Sequence, residues 1–154
     1  MSDGFAEALR QAKAAGRPDL IASAIPYARL MRIEVALVED VIECTMPFQD
    51  MLIGNPLLPA LHGGTLGALL ESAAIFHLVW AQEAPVVPKT INLTVQYLRS
   101  GRPEDTYASA TVVKLGRRVA AVRGEAWQSE RDKPIATATA NFLLPTPQES
   151  SKVP

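Results

Sequence analysis

Glu71 is the one formally charged residue between Asp50 and Glu83, and it stands inside an apolar run. An isolated carboxylate is costly to bury, so it must be paired, protonated or lining a cleft. One reading is a helix side chain that reaches solvent or a donor on a second subunit. The other is chemical: a carboxylate among apolar neighbours is a candidate base or nucleophile, because desolvation disfavours its charged form. The preceding His62-Gly63-Gly64 adds a second chemical element. Glycines let backbone N–H groups approach a ligand closely, and a helix start favours developing negative charge. A carbonyl gaining oxyanion character, that of a thioester for instance, is a group such donors stabilise. A tight entry turn would need the same glycines, so the pair gains meaning from the acid two turns later.

Spacing adds an inference. Gly64 and Glu71 are separated by about 10 Å along a helix axis at ~1.5 Å per residue. A reacting carbonyl does not easily sit within ~3 Å of both in one chain. Two antiparallel copies of the helix would set Glu71 of one opposite Gly64 of the other. The chain is therefore expected to form a homodimer with two composite sites, each shared between subunits.

Other candidates read differently. His77 points about 120° away from Glu71 on a helix, which suits a core or interface histidine. Two histidines and one cysteine offer no metal-ligand spacing, so neither a metal nor a cofactor is expected. Cys44 lies in an alternating stretch and reads as a buried structural thiol. Ser72 lacks nucleophile-elbow context. Tyr97 and Trp127 sit on alternating strand positions and read as core. Arg99, Arg102, Arg117 and Arg118 fall at strand ends or a turn, where they would serve as solvated charges or hold phosphates. Arg117 and Arg118 are the stronger substrate-binding candidates, together with Gly63.

Residues 3–15 read as an amphipathic helix ended by Gly16, and Pro18 opens a second helical piece. Extended structure is expected from Tyr27 to Val38 and over Val41–Met46, with a turn at Glu39-Asp40. Residues 47–59 read as loop. The run from Gly63 to Gln82 is too long for a strand and lacks alternation, so it reads as a helix, apolar on nearly every face and hence buried. Ile91, Leu93, Val95 and Tyr97 alternate with polar residues as a half-buried strand. Tyr107–Leu115 and Val119–Gln128 are strands joined by a turn at Gly116-Arg117-Arg118, and Pro134–Leu144 is the last. Short turns imply an antiparallel meander. One sheet cannot cover the helix all round, so apolar surface and open sheet edges favour self-association. The segmentation expected is a helical piece over 1–28, the main domain over 29–145 and a disordered tail over 146–154.

The chain has 154 residues, 48% of them apolar and 20% charged, with a net charge of −1. This fits one globular domain that needs no disulfide. No basic stripe of the kind nucleic acids require is present. The first twenty residues contain no uncharged core of signal-peptide length, and Pro56, Pro59, Gly63, Gly64 and Glu71 break up the longest lightly charged stretch. No membrane association and a cytoplasmic location are expected.

HGGTLGALLESAA, the Asn55 loop before it and the strand TINLTVQYLRSG resemble hotdog-fold acyl-CoA thioesterases of the phenylacetate-pathway and 4-hydroxybenzoyl-CoA type, over roughly Ile33 to Leu144. The resemblance implies an α+β hotdog fold, a curved antiparallel sheet wrapped around one long central helix, assembled as a homodimer or homotetramer. It implies hydrolysis of an acyl-CoA substrate, with Glu71 as nucleophile or general base. The Gly64 N–H would polarise the thioester carbonyl, and His62 would shape that loop. Asn55 is the nearest match to an upstream amide that contacts substrate or water, and Thr90 to the hydroxyl that orients the attacking water. Two other readings keep the fold: a dehydratase or hydratase acting on acyl thioesters, and a non-catalytic acyl-CoA binder.

Overall fold

The apolar run after His62 forms one helix, α4 (Gly63–Ala81), and the rest of the chain is arranged to cover it. In the computed structural model, residues 3–82 and 87–144 are described. The expected tail over 146–154 lies outside them. Leu66, Leu69, Leu70, Ala73, Phe76, Leu78 and Val79 of α4 are all buried. Each large side chain among them contributes about 1.5–3 kcal/mol by leaving water. By length and composition α4 could cross a membrane. Here it is a core helix packed on β2, β5, β6, β7 and β8.

Three helices precede the sheet. α1 (Asp3–Ala15) ends at Gly16, whose φ of +63° supplies the left-handed residue of the cap, while the Arg17 N–H reaches back to the Ala12 carbonyl at 2.8 Å. α2 (Asp19–Ala24) and α3 (Pro26–Leu30) follow. The expected extension from Tyr27 is corrected: Pro26 at the first helical position opens a helical turn, and strand geometry starts at Glu34. Leu9, Ala12, Ile21 and Ala28 from these helices join the same core as α4. Lys13 Nζ donates to the Gln82 carbonyl, placing a cation at the C-terminal end of α4, where the helix dipole favours it.

The main sheet is antiparallel with strand order β1-β2-β6-β7-β8-β5. Its strands are β1 (Glu34–Val38), β2 (Val41–Met46), β5 (Lys89–Tyr97), β6 (Thr106–Leu115), β7 (Val119–Trp127) and β8 (Ala136–Leu143). The expected meander is β6-β7-β8. A two-stranded hairpin, β3 (Ile53–Asn55) with β4 (Ala60–Leu61), follows a short 3-10 turn at Asp50–Leu52, within the stretch expected to be loop. The inner face of the sheet is lined by Ala108, Ala110, Ala120, Ala126, Ala136, Ala138 and Ala140, each at most 5% exposed. Apart from Val122 and Phe142, the buried inner face of β6, β7 and β8 is built from small residues, so α4 lies close to it. A Cβ on Gly124 would stand 3.2 Å from Leu70 Cδ2.

Cys44 is fully buried on β2, and burial together with the Glu43 charge pushes its thiol well above the ordinary range, so it is inert. Trp127 is 6% exposed but lies on the outer face, stacked on Tyr107 and covered by Arg131, whose guanidinium also pairs with Glu43 at 2.7 Å.

The β1–β2 turn is Glu39-Asp40 as expected, and both residues have positive φ, 49° and 65°. That is the geometry of a type I′ hairpin turn, which asparagine and glycine satisfy with less strain. The double substitution Glu39→Asn with Asp40→Gly should raise stability by about 1 kcal/mol. A urea denaturation midpoint unchanged or lowered relative to the parent would contradict this.

Candidate active site

Ala68, Glu71, Ser72 and Ile75 fall within roughly 100° of one another around the helix. All four are half-buried, so this stripe is the side of α4 left partly open. The Glu71 Oε1 accepts a 2.6 Å hydrogen bond from Thr90 Oγ1, and Oε2 has no partner among the described residues. The carboxylate is thus neither ion-paired nor sealed in. It faces the start of β5, whose outer edge pairs with no strand among the described residues.

Thr90 reaches Glu71 because β5 is bulged. Strict alternation would turn Ile91 inward with Leu93, Val95 and Tyr97, and Thr90 outward. The register instead slips between Thr90 and Asn92, so that Thr90 lies opposite the buried Phe142. Ile91 is displaced and 56% exposed. One extra residue re-aims the hydroxyl to the helix side of the sheet. Thr90, expected to orient a water, contacts the carboxylate itself.

The helix start is held from several directions. His62 is the N-cap, and its Nδ1 accepts a 2.9 Å bond from the Gly64 N–H. The Gly64 N–H expected to polarise a substrate carbonyl is therefore already engaged. The Gly63 N–H donates to no described residue, which makes it the open donor of the first turn. The His62 carbonyl accepts from both the Thr65 N–H, at 2.9 Å, and Thr65 Oγ1, at 2.7 Å. The Gly63 carbonyl accepts from Tyr97 Oη at 2.8 Å. Tyr97 is 55% exposed, so its expected core role is corrected. Its ring closes over Gly63, where a Cβ would meet the phenol at 3.0 Å.

The β3–β4 hairpin backs the histidine. A Cβ on Gly54 would fall 2.7 Å from His62 Cα, so only glycine lets the two segments meet. Asn55 Oδ1 accepts from the N–H groups of Leu57 and Leu58, at 3.1 and 3.4 Å. Its carbonyl thus shapes its own loop, in contrast to the expected contact with substrate or water. Met51, Leu57 and Leu58, on and just before this loop, are 60, 90 and 72% exposed, whereas Phe76, far along α4, is sealed in the core.

The four arginines divide. Arg99 donates to the Pro134 carbonyl beside the start of β8, while the Arg118 carbonyl accepts from Leu144 just past its end. Those points are separated by about 25 Å of strand. Arg117 and Arg118 are exposed at the tip of the β6–β7 hairpin, and Val119 is linked through Leu143 to Lys89, the neighbour of Thr90. They therefore share the Thr90 end of the sheet. No group of metal-ligating side chains occurs among the described residues.

One long helix laid on a six-stranded antiparallel sheet, with a glycine turn at its start and a lone half-buried acid two turns on, is the architecture of hotdog thioester hydrolases. Residues 55–143 match the family described as Acyl-CoA thioesterase N-terminal domain. The chain belongs to this hotdog acyl-CoA thioesterase family and is a thioester hydrolase. It is 29% identical to the Escherichia coli K12 protein named Medium/long-chain acyl-CoA thioesterase YigI, over 78% of this chain and 86% of that one. A crystal structure of a Chromobacterium violaceum protein is 37% identical, covers 92% of this chain and 98% of its own, and superposes with a TM-score of 0.74. A Bacillus halodurans protein solved with CoA shares the fold at 23% identity, with a TM-score of 0.71 over 91% of this chain and 93% of its own.

Sequence reasoning did not find Gly54, Thr65 or Tyr97. Gly54 was indistinguishable from any loop glycine, and the alternation of β5 concealed what the Tyr97 hydroxyl does. His77 is half-buried and its Nδ1 has no partner among the described residues. Burial lowers its pKa from the ordinary value of 6.5. The unfolded chain then binds more protons than the folded one below about pH 6.5, so stability is lost as pH falls through that region and is unaffected above it. His77→Gln should shrink the drop in urea midpoint between pH 7.5 and pH 5.5. An equal drop in the variant would count against this assignment.

Proposed function

We propose that the protein hydrolyses an acyl-CoA thioester to free acid and CoA at sites shared between two subunits of a cytoplasmic homodimer. The observation that carries this reading is the half-buried Glu71 carboxylate, held at one oxygen by Thr90 of the edge strand β5 and without a partner among the described residues at the other. As general base, Glu71 takes a proton from the water that attacks the carbonyl carbon; as nucleophile, it attacks that carbon itself and water cleaves the resulting anhydride. In either route the C–S bond breaks and CoA leaves as the thiol. The Gly63 N–H, reinforced by the start of the α4 dipole, faces the developing oxyanion.

Glu71 and Gly63 are about 12 Å apart along one helix, so one chain does not place both on a single carbonyl. The edge strand supports a solution. β5 carries Thr90, and with it Glu71, at one end, and Tyr97, clasping Gly63, at the other. Antiparallel pairing of two β5 edges about a two-fold axis sets the acid end of one protomer beside the glycine end of the other. Exposed Ile91, Tyr97 and Leu98 on or beside this edge support the same face. Arg117 and Arg118, at the Thr90 end, are placed to meet CoA phosphates. The Met51, Leu57 and Leu58 rim favours an apolar acyl group, in keeping with the name of the Escherichia coli relative.

Free-thiol release from a panel of acyl-CoA esters tests the reaction: turnover is expected for apolar acyl chains, and none would overturn it. Glu71→Gln should lower kcat by about 10²–10⁴ with the fold intact. Mixing inactive Glu71→Ala chains with chains inactivated at Gly63 should restore part of the activity. Absence of rescue in proven mixed dimers would refute the shared site.

A further inference from the structure

The first turn of α4 contains two successive peptide units whose carbonyls are each held by a side-chain hydroxyl from outside the ordinary helix ladder. Thr65 Oγ1 donates to the His62 carbonyl at 2.7 Å, and the Thr65 N–H adds a second bond to the same oxygen. Tyr97 Oη donates to the Gly63 carbonyl at 2.8 Å. The His62 carbonyl belongs to the peptide unit whose N–H is that of Gly63. The Gly63 carbonyl belongs to the next unit, whose N–H, that of Gly64, is fixed on His62 Nδ1. Both peptide planes are thus pinned at a place where two glycines would otherwise leave the backbone free to rotate.

We infer that Thr65 and Tyr97 are positioning residues that aim and polarise the Gly63 N–H; the inference rests on the reading of that N–H as the oxyanion donor. A peptide carbonyl that accepts two hydrogen bonds draws density from its own N–H, because bonds in a chain polarise one another. The Thr65 hydroxyl therefore strengthens the Gly63 donor directly. Tyr97 acts one unit later, preventing the Gly63–Gly64 plane from tilting the turn, and its ring packs against the Gly63 α-carbon. Preorganisation of this kind matters most in the transition state, where charge reaches the carbonyl oxygen, and little in ground-state binding.

The test uses the full chain with the best ester from the thiol-release panel. Thr65→Val removes the hydroxyl and keeps the shape; Thr65→Ser restores it; Tyr97→Phe removes the second hydroxyl alone. Thr65→Val and Tyr97→Phe are each expected to lower kcat about tenfold with KM within twofold, well short of the 10²–10³ that loss of an oxyanion donor itself costs. Thr65→Ser should recover most of the loss. A purely structural role would move KM, unfolding midpoint and kcat together, and would overturn the proposal. If Tyr97→Phe does not fold, the Thr65→Val and Thr65→Ser pair decides the matter alone. Glu71→Gln separates the two levels. Unchanged kcat in both hydroxyl variants beside an inactive Glu71→Gln refutes the positioning role and leaves the hydrolase reading standing. Normal turnover in Glu71→Gln overturns both.

Discussion

The arrangement depends on burying a helix that is apolar on nearly every side while leaving one acid on it in reach of water. A single sheet covers about half of such a helix, and α1–α3 add side chains to the same core. The stripe of Ala68, Glu71, Ser72 and Ile75 stays half-buried, with Glu71 bonded to Thr90 on the edge strand β5. At any of the nine buried positions of α4 a carboxylate would be sealed among apolar side chains without a partner, at a cost no neighbouring group offsets. The location of the site therefore follows from the geometry of incomplete coverage as much as from chemistry.

The same geometry explains the division of labour along β5. This strand touches both chemical elements of the chain, through Thr90 at its first residues and Tyr97 at its last. It is also an edge strand, as β1 is at the other end of the sheet, and pairs on one side only among the described residues. An edge strand that contacts both halves of a site couples the integrity of that site to whatever covers the edge. On the proposed shared site, self-association and catalysis would be one problem for the molecule.

Much of this was legible in the residues. The long apolar run, the single acid within it, the meander and the two-residue hairpin at Glu39-Asp40 all carry periodicity or turn chemistry strong enough to read. Three features were not. The helical turn at Pro26–Leu30 is too short to show a period, and its apolar residues resemble those of a strand. The bulge at Ile91 reverses the facing of Thr90 without leaving a glycine or proline as a mark. The engagement of Gly64 by His62 depends on which ring nitrogen faces the turn, which spacing does not encode. In each case the decisive quantity is a direction in space, and sequence patterns report distances along the chain more faithfully than directions.

The alanine-lined face of the sheet has a consequence of another kind. Seven small side chains under one helix act as a gauge block, fixing how far the helix axis stands from the strands. Because Glu71 rides on the helix and Thr90 on the sheet, the 2.6 Å between their oxygens depends on that spacing, which the alanines help to set. A lineage can then vary the helix side chains and the rim loops while the alanines conserve that clearance. The least reactive side chains in the molecule hold its tightest tolerance.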